Sequence, residues 1–286
     1  MSVRPTVLPG DKRTSVARSS KLVAGLVITG VLCAIALVSL VWTPLPPTKI
    51  QIAYKLTAPL QQGLLGTDQL GRDVLSMVMV GAWNSLSTAV AAVAIGGSLG
   101  TVAGLFAAAA RGTPEALAMR ACDIVFALPP ILSAMMLGAF LGTGRWTAII
   151  AIAVFMIPVF ARVVCGAARQ IWPRDYIQAA RGAGKGPMLI SIEHVLPNIS
   201  SQIIVQVTIQ LGLAILTEAS LSFLGLGMPP PSPTWGRMLA DSQTYLAQAP
   251  WLAVAPGLAI ALAVFGLNML GDGLRDTLDP RTPLLR

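Results

Sequence analysis

From Leu22 to Trp42 the chain carries no charged side chain. Comparable apolar runs, each with at most one charge, return at about 84–110, 121–141, 146–164, 199–223 and 251–270. About 20 such residues cross the hydrocarbon core of a bilayer. In that medium every backbone polar group must be satisfied within the segment, so runs of this length have to be helices. The pattern predicts an all-α integral membrane protein with six transmembrane helices. Its charged fraction of 11% agrees, because soluble domains carry about 25%.

The runs divide the chain. Residues 1–21 read as a flexible polar tail and 22–42 as the first transmembrane helix. Residues 43–83 read as a loop, 84–272 as a five-helix core and 273–286 as a second tail. A basic stretch before an apolar run also fits a cleaved leader, but VSLVWTPLPP offers no small-x-small cleavage site. The formal charge of +8 does not require a nucleic-acid partner. Of the 20 Lys and Arg, only Lys49, Lys55, Arg72, Arg145 and Arg237 fall in the segments on one side of the predicted membrane. The others share the side of both tails. This bias places both termini in the cytoplasm. Pro129-Pro130 must kink or interrupt the third span, and Pro158 the fourth.

Gly96, Gly100 and Gly104 stand four apart in the second span. Small residues at that spacing make a flat stripe on which another helix packs closely. The only long polar interruption in the second half is YIQAARGAGKGPMLISIEHVLPN, residues 176–198. Pro173 suits a first helical turn. Arg174, Gln178, Arg181 and Lys185 recur on one helical face, with Tyr176, Ala179, Ala180 and Ala183 on another. Gly182, Gly184 and Gly186 end that helix and Pro187 opens a second one, which Pro197-Asn198 closes. Two short helices with a basic outer face, set between membrane segments, make a docking knob.

The order Gln178-Ala179-Ala180, Gly184, then His194-Val195-Leu196-Pro197-Asn198 resembles the cytoplasmic coupling loop of ABC importer permeases. Gly66-Thr67-Asp68 with Gly71-Arg72-Asp73, and the ending GDGLRDTLDPR, are similar to the dipeptide/oligopeptide/nickel branch of that family. The resemblance implies a type I permease bundle with cytoplasmic coupling helices in the cell's inner membrane. It implies a second permease chain, two ATPase subunits holding ATP and Mg, and an extracytoplasmic solute-binding protein. The implied solutes are short peptides, with nickel or another small solute as the alternative. Arg174, Tyr176, Gln178, Ala179, Ala180, Arg181, Gly184, His194, Pro197 and Asn198 would form the ATPase-coupling segment. Gln178 departs from the family's Glu: it keeps the reach and a hydrogen-bonding head without the charge.

The chain itself offers no nucleotide site, since Gly184-Lys185 lacks both the earlier glycine and the following Ser/Thr of a P-loop. One histidine and three scattered cysteines give no metal or nucleophile set, and no cofactor is expected in this chain. Asp68 and Asp73, beside Arg72, read as caps and ion-pair partners. Glu218, inside the fifth span, must face the bundle interior. It reads either as a pathway or gating residue or as a buried hydrogen-bonding group that fixes packing. An ion-coupled secondary carrier using Glu218 is the rival class, weakened by the lack of an inverted repeat.

Overall fold

The computed structural model describes residues 11–278, with side chains from residue 20 onward. The remaining residues of the two predicted tails, 1–10 and 279–286, lie outside the described residues. Ten α-helices carry the fold: α1 Asp11–Val38, α2 Val74–Ala110, α3 Thr113–Ala127, α4 Pro130–Leu141, α5 Arg145–Ile171, α6 Asp175–Gly182, α7 Pro187–Ile190, α8 Leu196–Phe223, α9 Trp235–Ser242 and α10 Trp251–Leu278. Five helices are long and apolar enough to cross a membrane, and six if the bent pair α3–α4 counts as one span.

The α2–α5 pair is the spine. A Cβ on Gly96 would lie 2.5 Å from the Ala153 carbonyl oxygen, and one on Gly104 2.5 Å from that of Ala161. On Gly100 it would collide with the Ile157 carbonyl and lie 2.7 Å from the Phe160 Cβ. The contacts advance by four on both helices, so α2 and α5 run side by side in one direction with backbones touching. Opposite them, α1 packs on α10. Cβ atoms at Gly266 and Gly273 would lie 2.7 Å from Ile28 and from the Leu22 backbone.

Four boundaries differ from those the sequence predicts. Helix α1 starts at Asp11, within the stretch assigned to a tail, because no breaker follows Pro9-Gly10. Helix α2 starts at Val74, so the preceding loop ends at Asp73 rather than 83. Asp73 is the N-cap and accepts hydrogen bonds from the Ser76 amide at 2.8 Å and its hydroxyl at 2.6 Å. Asp68 likewise binds the Leu70 and Arg72 amides, and pairs with the Arg72 guanidinium at 2.6 Å. At Pro129-Pro130 the third span is broken by 85°. Helix α10 continues through Gly-Asp-Gly to Leu278. Those glycines do not stop the helix: Gly271 lies against Thr208 of α8 and Gly273 against Leu22 of α1.

At one end of the bundle α9 is wedged between α2 and α8. Trp235 is buried, its amide bonded to the Ser85 hydroxyl at 3.3 Å and its indole N–H to the Val78 carbonyl at 3.1 Å. Asn84 donates to the Pro233 carbonyl at 2.7 Å. A Cβ on Gly236 would collide with the Ala219 backbone. Helices α6 and α7 occupy the other end.

Candidate functional site

Helix α6 stands out from the bundle on a buried root. Ile177 and Ile190 are fully buried and Ala180 nearly so. They join Leu105 and Ala108 of α2, Val164 and Ala168 of α5, and Val195 and Ile199 in one apolar cluster around Trp172. The same cluster thus holds the ends of three spanning helices and the protruding one. Tyr176, Ala179, Arg181, Gly184 and Met188 face outward.

Trp172 is the residue that the sequence reading missed. It is completely buried, and it lies just before Pro173 in a stretch read only for its helix start. The Arg181 guanidinium stacks on its ring at 4.9 Å, and that of Arg111, the C-cap of α2, lies over it at 6.0 Å. The Gln178 amide donates to the Trp172 carbonyl at 3.1 Å. A carboxylate could not make that bond, having no proton to donate. The amide at this position therefore has a definite use: it ties α6 to the end of α5. Ile177 was also missed, although its i,i+3 spacing with Ala180 marks the buried face.

The basic side chains predicted on one face do not act alike. Arg174 is the exposed N-cap of α6. Arg181 bends back to Trp172, and Lys185 pairs with Glu193. Gly184 adopts a φ of +82° that suits glycine, and closes α6 with its amide bonded to the Arg181 carbonyl at 2.9 Å.

The predicted second short helix is not separate, and Pro197-Asn198 does not break the chain. Helix α7 passes through one π-helical turn, Ser191–Val195, directly into α8. A proline ring clashes with the carbonyl four residues back in a regular α-helix, and a π turn relieves that crowding. Asn198 caps the turn by donating to the His194 carbonyl at 2.6 Å. His194 meets the edge of the Tyr176 ring at 6.3 Å, bridging α6 to this turn.

Glu218 lies in α8 near the α9 end, far along the helix from the α6 root, and is 2% exposed. Ser222 donates to its Oε1 at 2.6 Å, and Ser85 of α2 stands beside the carboxylate. Among the described residues its Oε2 has no partner. Ala219, the next residue, is the one against which Gly236 packs.

A bundle of membrane-crossing helices that carries a protruding helix rooted in three of its spans defines a transporter subunit built to receive motion from a partner. The chain belongs to the family described as "Binding-protein-dependent transport system inner membrane component", which matches residues 100–283. It is the multi-pass inner-membrane permease of an ABC importer and not itself the ATPase, and it works with ATPase and binding-protein partners. Among its relatives is the "Glutathione transport system permease protein GsiD" of Escherichia coli. It is 47% identical over 223 residues, covering 78% of this chain and 74% of that protein. The protein of the same name from Pectobacterium atrosepticum is 43% identical over 217 residues, 76% of this chain and 72% of that one. The fold also matches a solved chain of the MetNI methionine ABC transporter in inward-facing conformations. That match has a TM-score of 0.61 at 19% identity, over 71% of this chain and 96% of that one.

Proposed function

We propose that this chain forms half of the pathway of an importer of short peptides, with α6 seated in a cleft of an ATPase subunit on the cytoplasmic side. The other half is a second permease chain, and ATP and Mg reside on the ATPase pair. Both termini and α6 then face the cytoplasm, and α9 faces outward, as the distribution of Lys and Arg favours. The observation that carries this reading is the shared root of α6. A push on α6 reaches α2, α5 and α8 through one close-packed cluster, and packed cores respond by shifting as units. ATP-driven closure of the partner would thus bias the bundle between two arrangements. The peptide class is supported by the printed name of the relatives and by the GTD…GRD segment.

Capture of the ATPase by the detergent-solubilised permease tests the docking. Reversing charge at Arg174, the outward guanidinium, is expected to weaken capture about tenfold with the permease still monodisperse. Unchanged capture after replacing residues 175–182 by a flexible linker would remove the docking role. Glu218 is read as a pathway or gating residue sealed beneath α9. Glu218→Gln is then expected to impair import with the assembled complex intact, and loss of assembly instead would assign it to packing.

A further inference from the structure

The remaining charge in the membrane region without an ionic partner is on Arg145, the first residue of α5. The other arginines buried in the bundle or laid along its helices are matched: Arg72 with Asp68, Arg162 with Asp123, Arg169 with Glu115 and Arg237 with Asp241. Among the described residues Arg145 forms no ion pair. Its one bond runs from Nη2 to the Ser87 hydroxyl on α2, at 2.6 Å. The side chain is neither sealed nor free, being half-buried on the turn Gly142–Gly144.

Its depth makes this unusual. Leu252 at the start of α10 packs with Val74 and Met77 at the start of α2, so these two spans begin level. Ser87 lies eleven residues beyond Ser76 along α2, about 16 Å into the bundle at 1.5 Å per residue. The α4–α5 turn is therefore recessed below the rim that α2, α9 and α10 build. A guanidinium at such a depth is costly against lipid and settles where water or a counter-charge can reach it. It also stands at the first position of a 27-residue helix, where the helix dipole adds positive potential and favours an anion.

We propose that Arg145 and Ser87 form a recessed anion-recognition point in the pathway, and that its ligand is the carboxylate of a passing peptide. The guanidinium binds a carboxylate in a planar fork, and Ser87 holds that fork toward the opening. This assignment rests on the peptide reading given above.

The test uses the complete transporter with its binding protein in proteoliposomes. Import of glutathione and of trialanine, each as the free acid and as its C-terminal amide, is compared for the wild type, Arg145→Gln and Arg145→Lys. Arg145→Gln is expected to raise KM for the free acids about tenfold and to leave the amides within about twofold, with Arg145→Lys recovering most of the loss. An acid-to-amide ratio that Arg145→Gln does not change overturns the assignment. Where the wild type carries no amide, equal import by the Gln and Lys variants overturns it. Loss of the assembled complex in Arg145→Gln would give the guanidinium to an acid of the partner permease. A variant effect that tracks the anionic lipid content of the vesicles would give it to a headgroup. Either result also overturns the assignment. If the wild type imports none of the four probes, the peptide reading itself fails and takes this inference with it.

Discussion

Two sets of three glycines do opposite things in this molecule. Gly96, Gly100 and Gly104 are buried, and a Cβ on any of them would strike the α5 backbone. Gly182, Gly184 and Gly186 sit at the end of α6 with open space where a Cβ would go. The first set lets two helices touch; the second lets the chain turn between α6 and α7. The lesson is that the permease divides into a part where volume is fixed and a part where only backbone shape is fixed. A lever needs both, a stiff shaft and an end that can seat in a partner.

The comparison breaks most sharply at Gly100. Gly100→Leu forces a side chain into the Ile157 carbonyl and Phe160. It is expected to cost at least the 1–3 kcal/mol of ordinary core overpacking, leaving no monodisperse permease by size-exclusion chromatography. Gly186→Leu, in open space at a φ of −70°, should give a normal elution profile. A normal profile for both would mean that α2 and α5 are not packed as described.

A smaller effect is expected at the joint between the two parts. Gln178→Ala removes the bond to the Trp172 carbonyl, worth about 1 kcal/mol. Gln178→Glu also removes it and sets a carboxylate against a carbonyl oxygen. Both should lower peptide-stimulated ATP hydrolysis in the assembled transporter, Glu more than Ala, with little change in thermal stability of the permease. The reverse order would show that a carboxylate finds a cation at this position.

The smallest is at Gly184. Gly184→Ala meets no neighbour but must hold a φ of +82°, at about 1–2 kcal/mol. Its thermal midpoint should fall by no more than a few degrees, with a measurable loss of ATPase capture. A fall as large as that from Gly100→Leu would contradict the division.

Much of this was legible in the sequence, for reasons the membrane supplies. Apolar runs of spanning length leave few alternatives to helices, and the small-residue spacing from Gly96 to Gly104 points to a close partner helix. The polar interruption at 176–198 stands out against its surroundings. What could not be read is what depends on distant contacts. Pro197 looks like a stop, yet a π turn carries the helix past it. Gly271 and Gly273 look like a helix end, yet they are spaces for α8 and α1. Trp172 looks like the last residue of a span, and only the folded chain brings Arg111, Gln178 and Arg181 around it. The recess at Arg145 was equally hidden, since its depth follows from the alignment of α2 with α5.

The central claim is that this chain converts motion made elsewhere and supplies none of the driving chemistry. Peptide uptake into proteoliposomes tests it directly, with the purified permease alone compared with the complete transporter under ATP. The account predicts accumulation only with the complete transporter, abolished when residues 175–182 are replaced by a flexible linker. Accumulation driven by the permease alone, under an ion gradient and without any ATPase present, would contradict it.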